Sequence, residues 1–178
     1  MRRMRMFTAG LWILSLFLLT SCSGFNPVMR AHLCNRENYA SYTGKIRDIY
    51  YLDGRGDRVS LLSSDEIPET DVRIELTFEA YDTVKKFLGG TPNPERPPED
   101  YWFVFEITKE NHRILRENGF YDLAASDTPI RICASSYIYM DSEFFFIAAV
   151  TYRNTEYLGF EDGFGNIAAY ADSNRSLF

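Results

Sequence analysis

The sequence predicts a β-rich α+β domain whose sheet bends into a small barrel of five or six strands. One helix stands at its N-terminal side and a second lies between the third and fourth barrel strands. Segments of alternating apolar and polar residues recur between turn formers, the period-two signature of half-buried strands. Two of those segments lose phase midway, as strands do at a bulge where a sheet curves toward closure. The chain has 178 residues, 46% of them apolar, a length that suits one ordinary domain.

The first element is a leader. Arg2, Arg3 and Arg5 precede an uncharged apolar run from Phe7 to Leu19, the layout of a secretory signal. At 1.5 Å per residue the run spans roughly 20 Å, short of the ~30 Å hydrocarbon core that a transmembrane helix must cross.

Leu19-Thr20-Ser21-Cys22 resembles the lipobox of bacterial lipoproteins. The resemblance covers the first 22 residues and implies a diacylglycerol on the Cys22 sulfur, with cleavage just before it. Residues 1–21 are then a lipoprotein signal peptide, 22–27 a lipidated tether and 28–178 a single globular domain. Each buried methylene contributes about 0.8 kcal/mol, so two or three acyl chains hold a protein stably where one does not. The expected location is the extracytoplasmic side of a cell membrane. Ser23 stands where an aspartate would resemble an inner-membrane retention signal, which leaves the outer membrane open as a destination.

Removing residues 1–21 leaves 157 residues with 16 basic and 25 acidic side chains, a formal charge of −9. That balance argues against nucleic acid as a partner, because such binding needs clustered positive charge. It also argues against a polybasic membrane contact beside the lipid. Cys34 and Cys133 remain. In an oxidising compartment they could form one disulfide tying the first helix to a late strand; the alternative is two thiols packed as small hydrophobes.

Pro27 suits the first turn of a helix running to about Tyr39, with Val28, Ala31, Leu33 and Cys34 as its apolar stripe. Strands follow over 43–52, 59–62 and 72–78. In the last, Val72, Ile74, Leu76 and Phe78 alternate with Arg73, Glu75, Thr77 and Glu79, giving one buried and one wet face. In the first, Ile46 is out of phase with Ile49 and Tyr51, and a bulge near Asp48 would restore one face. A short helix over 82–88 leads through Gly89-Gly90 into a proline-rich loop. A strand over 101–108 turns Tyr101, Phe103, Phe105 and Ile107 one way and Trp102, Val104, Glu106 and Thr108 the other. A helix over 110–117 stops at Asn118-Gly119. The strand from Ile130 slips phase at Ser135-Ser136, before Tyr137 and Tyr139, and the strand over 144–152 is apolar on both faces and so covered.

This order, with Gly44-Lys45-Ile46-Arg47-Asp48-Ile49 as its bent opening strand, resembles the OB-fold barrel, whose helix lies between its third and fourth strands. It is similar to small exported lipoproteins, most of them without an assigned role. Residues 157–170 add material that a minimal barrel lacks.

A search for chemistry finds no phosphate-cradling glycine loop, no Gly-x-Ser-x-Gly elbow and no His-Glu-x-x-His, and so implies neither cofactor nor metal. His32, Cys34, His112 and Cys133 lack the paired spacing of a zinc site. Glu99-Asp100 and Glu161-Asp162 could supply a glycosidase with acid and base, but adjacent acids on a loop are usually solvated charge. Asp162 to Asn166 reads as a turn, and Arg55-Gly56-Asp57 as a hairpin turn.

The feature that points to recognition is aromatic excess, 12 Tyr, 14 Phe and 2 Trp, most of which must fill the core. Trp102 is the exception, phased opposite Phe103 and Phe105 and beside polar positions such as Arg73. It could stack on a sugar or clamp a peptide; the alternative covers it with the proline-rich loop or a helix. The expectation is a non-enzymatic binding or assembly module meeting an envelope glycan, peptide or protein. The second class is a carboxylate-dependent hydrolase acting on cell-envelope material.

Overall fold

A computed structural model of the protein describes residues 27–61, 70–124, 127–135 and 145–173. The leader, Cys22, the tether before Pro27 and the phase slip at Ser136 lie outside the described residues.

Helix α1 (Pro27–Leu33) is shorter than the sequence suggests. Asn35 caps a 3-10 turn over Arg36–Asn38, accepting from the Glu37 amide, and the chain is extended from Tyr39 onward. Strand β1 (Tyr39–Leu52) follows, then β2 (Arg58–Ser60), β3 (Val72–Phe78) and helix α2 (Tyr81–Leu88). Gly89 ends α2 at φ +63°, a left-handed cap that glycine adopts without strain. Strand β4 (Trp102–Ile107) precedes α3 (Lys109–Glu117), whose N-cap Thr108 accepts from the Asn111 amide, and α4 (Phe120–Ala124). The chain closes with β5 (Ile130–Ser135), β6 (Ile147–Tyr152), β7 (Thr155–Leu158) and α5 (Phe160–Ser173). The turn between β6 and β7 carries Arg153 and Asn154 at positive φ, the conformation that tight hairpins require.

The strands form one mostly antiparallel seven-stranded sheet in the order β4-β3-β1-β5-β6-β7, with β2 also pairing β1. The long β1 is its spine, because Gly44 pairs with Phe78 on one side and Ile130 on the other. A Cβ on Gly44 would sit 2.6 Å from the Thr77 carbonyl oxygen, which is why the bend needs glycine there. The register of β1 against β3 shifts between Ile46 and Asp48. The expected bulge is present, and Ile46, Ile49 and Tyr51 all pack on the main core.

The sheet does not close into a barrel, which corrects the sequence expectation. Strand β4 meets the approach to β6 through a single parallel bridge between Glu106 and Phe146, with the Glu106 amide donating to the Phe145 carbonyl at 2.7 Å. From Val150 onward β6 pairs β5 on one side and β7 on the other. The hairpin partner β7 therefore takes the edge that a closing ladder would need.

Two cores lie on opposite sides. The larger gathers Phe78, Phe87, Phe103, Phe105 and Phe145 under α2, α3 and α4, with the Phe87 and Phe103 rings 4.0 Å apart between centres. The smaller seats α1 and α5 through Met29, Leu33, Phe146, Ala148, Ile167 and Ala171. Residues 162–166, which read as a turn, are the second turn of α5. Gly163 has no side chain because its Cβ would meet the Ala148 carbonyl oxygen at 2.0 Å. Gly163, one of the two glycines that suggest a turn, lets the helix lie backbone to backbone on β6.

Candidate binding face

The wet sides of β1, β3 and β4 carry the face on which Trp102 stands. Strand alternation sends Phe103, Phe105 and Ile107 into the core and leaves Trp102 46% exposed, covered in part from the proline-rich loop. The bulge re-aims Arg47, the unpaired residue of the register shift. Its guanidinium lies 4.1 Å from the Trp102 ring centre. Arg96 reaches in from the proline-rich loop, 4.6 Å from the Tyr101 ring and 5.7 Å from the Trp102 ring. The Asp100 carbonyl holds it by a hydrogen bond. A guanidinium over an indole is attracted by the negative ring face and shields part of it from water.

Beside this stack runs a network of paired charges. Arg58 donates to both oxygens of Glu75, at 2.9 and 3.0 Å, and to Asp48 at 2.7 Å. The Glu75 side chain is only 7% exposed, a degree of burial that an ionised carboxylate tolerates when it is doubly hydrogen-bonded. Arg47 adds a looser contact to Glu75 at 3.6 Å. The Arg58 guanidinium also lies 3.9 Å from the Tyr50 ring centre, and burial pushes the Tyr50 hydroxyl pKa up. Next along β3, Arg73 pairs with Glu106 at 2.8 Å. Burial pushes the Glu106 carboxyl above the ordinary carboxylate range; Arg73 opposes this shift and the Asp71 charge adds to it.

Trp102 and Arg73 share this face but are not neighbours. Trp102 stands opposite Thr77, and Arg73 stands opposite Glu106, four residues further along β4. At about 3.3 Å per residue that is roughly 13 Å. The cations at the indole are Arg47 and Arg96, which the sequence reading did not single out. A signal for Arg47 was present, since the phase break between Ile46 and Ile49 marks an extra residue between them. Arg96, in a loop without periodicity, gave none.

The other singled-out residues are spread over the fold. Cys34 is exposed beside α1, Cys133 is half-buried on β5, and both thiols are free. Burial and the two thiols together raise the Tyr39 hydroxyl pKa. Among the described residues no group of three His, Cys, Asp or Glu side chains could hold a metal ion. His112 is buried, 2.7 Å from the Tyr121 hydroxyl. Glu161 and Asp162 begin α5, where Glu161 binds Arg36. Asp53 Oδ1 accepts from the amides of Arg55 and Asp57, and the tripeptide Arg55-Gly56-Asp57 is the hairpin turn it was read as.

A cavity of about 600 Å³ lies between the start of α3 and α5, lined by residues that include Asp71, Glu110, Asn166 and Tyr170. Asp71 is spent there, accepting from the Lys109 amide at 2.7 Å. Among the described residues no helix is long and apolar enough to cross a membrane. No family model, no curated protein and no solved structure matches the chain.

Proposed function

We propose that this chain is a lipoprotein anchored through Cys22 on the extracytoplasmic side of a cell membrane, outer membrane included. It acts there as a non-enzymatic binding or assembly module. The observation that carries the binding role is Trp102, a large aromatic left 46% exposed on a face whose other polar groups are paired. Exposed aromatics set among arginines are what recognition surfaces use as anchors. The partner is an envelope glycan, peptide or protein, and the acidic balance of the chain disfavours nucleic acid.

An OB-like architecture is the finer reading of the fold. It is supported by the sheet order β4-β3-β1-β5-β6, by α3 between β4 and β5, and by the parallel bridge from Glu106 to Phe146. The face carrying Trp102 is then the outer surface of the second and third strands of an OB-like but unclosed sheet.

Hydrolysis of envelope material is the weaker reading. Asp48, Glu75 and Glu106 are bound by arginines, and Asp71 caps a helix, whereas a glycosidase needs two carboxylates open to substrate. Two experiments test the proposal. Metabolic labelling with a fatty-acid analogue must mark wild type and not Cys22→Ser. A photo-crosslinking side chain at position 102 must capture, in membranes, a partner that the same side chain at the equally exposed position 123 on α4 does not.

A further inference from the structure

The face on which Trp102 stands gathers cations in a chain whose formal charge is −6. Lys45 on β1 pairs with Thr77 on β3, and Thr77 with Trp102 on β4. Residues opposite one another in a ladder share a face, so these three side chains form one row across the sheet. Arg47, the extra residue of the bulge, stands beside this row and spans β3 to reach the indole. Arg96 arrives at the same ring from the proline-rich loop, and the two guanidinium groups lie within about 10 Å of each other. Both arginines are exposed. The acids that touch these cations hold them loosely. Glu75 is bound twice by Arg58, so its contact with Arg47 at 3.6 Å is secondary, and Lys45 meets the fully solvated Asp127 at 3.5 Å.

We propose that Arg47 and Arg96, held in place by the Trp102 ring, bind the carboxylates of an acidic segment on a different protein. A guanidinium offers a rigid fork of donors that matches a carboxylate. Stacking on the indole orients that fork beforehand, which lowers the ordering cost of binding. Charge complementarity selects the partner: an acidic segment is attracted here and repelled by the acidic remainder of the chain, so the patch fixes where it docks. Tryptophan and arginine together are also the residues that most often anchor protein partners. A neutral sugar is the poorer fit, because it stacks on a bare aromatic face, and the Arg47 guanidinium at 4.1 Å from the ring centre already takes such a position. This inference rests on the binding role proposed above and names the partner's chemistry.

The probe is octaglutamate, set against octaglutamine of the same length and an oligogalacturonate of the same charge. The full chain carrying Trp12→Phe is held in a neutral detergent, and nuclear magnetic resonance follows the single indole N–H signal of Trp102. Octaglutamate must shift that signal saturably and bind at least tenfold more tightly than octaglutamine. Arg47→Ala and Arg96→Ala must each weaken its binding several-fold and the double variant at least tenfold, whereas Arg113→Ala on α3 leaves it unchanged. Equal binding of the two peptides, or of wild type and the double variant, overturns the proposal. Tighter binding of the oligogalacturonate overturns the protein partner in favour of an acidic glycan. A dimer in sedimentation that the double variant dissolves overturns it in favour of a second copy of this chain. If octaglutamate fails while cross-linking from position 102 persists, the binding face stands without a carboxylate partner; if both fail, both are lost.

Discussion

The guanidinium of Arg47 lies 4.1 Å from the ring centre of Trp102, an arrangement that exists because β1 carries one extra residue between Ile46 and Asp48. The contact is a surface cation–π pair, worth about 0.5–1 kcal/mol. Its partner Glu75 keeps two bonds from Arg58 when Arg47 is removed. Arg47→Ala should therefore cost no more than about 1 kcal/mol in stability while uncovering one side of the indole. Trp12 and Trp102 are the two tryptophans of the chain, so in a Trp12→Phe background fluorescence reports on Trp102 alone. The expected result is faster acrylamide quenching in Arg47→Ala and an unchanged rate in Arg73→Ala, whose side chain belongs to Glu106. Equal quenching of the two variants would show that the indole is not stacked on Arg47.

Two glycines in α5 make a matched pair. A methyl group on Gly163 would press into the Ala148 backbone, whereas one on Gly165 meets nothing within 4 Å. Gly163→Ala should lose about 1–3 kcal/mol or more, as overpacked sites do. Gly165→Ala should gain about 0.5–1 kcal/mol from helix propensity. At about 2–4 °C per kcal/mol for a domain of this size, thermal melts separate the two in opposite directions. A harmless Gly163→Ala would mean that α5 does not lie on β6 at this distance.

These glycines also show where the sequence was legible and where it was not. Strand β3 is readable to the residue, because one face of Val72 to Phe78 is apolar and fully buried while the other carries the polar Arg73, Glu75 and Thr77, of which Glu75 is buried too, and alternation records the difference in polarity directly. The bulge in β1 was readable for the same reason, as a break in alternation. Helix α5 is absent from the sequence reading, which has a turn over 162–166, since Gly163 and Gly165 have poor helix propensity and the close approach that requires Gly163 is a tertiary fact. Helix α1 ends at Leu33, short of the Tyr39 that the sequence suggests, because the apolar stripe runs on to Cys34 while the Asn35 cap starts a 3-10 turn. Barrel closure could not be read at all: whether β4 or β7 takes the edge of β6 is decided by which strand arrives there. The candidate site was half legible. Trp102 followed from phase, but its arginines come from a bulge and from a loop.

Glu106 gives the fold a pH dependence whose sign can be worked out. Burial raises its folded-state pKa above the ordinary 4.5, so between the unfolded and folded values the folded state binds more protons than the unfolded one. Stability from this group therefore falls as pH rises through that window. Glu106→Gln imitates the protonated acid and removes the effect. In urea titrations from pH 3.5 upward, the difference wild type minus Glu106→Gln should shift against wild type as pH passes the carboxylate range and then level off. The exposed pairs Glu110 with Arg113 and Glu161 with Arg36, where hydrogen bonding from arginine lowers the carboxyl pKa, contribute equally to both proteins and cancel. A difference that moves toward wild type would mean that Arg73 outweighs burial.

The two cysteines of the folded domain should differ in reactivity under reducing conditions. Cys34 is exposed where α1 ends, and the thiolate is the reacting form. Cys133 is half-buried on β5, where burial pushes its thiol pKa up and a hydrogen bond with Ser41 and the charge of Arg131 only partly offset the shift. In the Cys22→Ser background, maleimide at pH 7.5 should modify Cys34 at least tenfold faster than Cys133, read by mass spectrometry of peptides over time. Raising the pH should narrow the gap as the Cys133 thiolate becomes populated. The same assay without reductant tests the staple that the sequence left open: two reactive thiols mean that α1 is held by packing of Leu33 and Met29, by the Tyr39 hydroxyl on the Leu33 carbonyl and by the ion pair of Arg30 with Asp172. Loss of both thiols together would mean that a covalent bridge holds it instead.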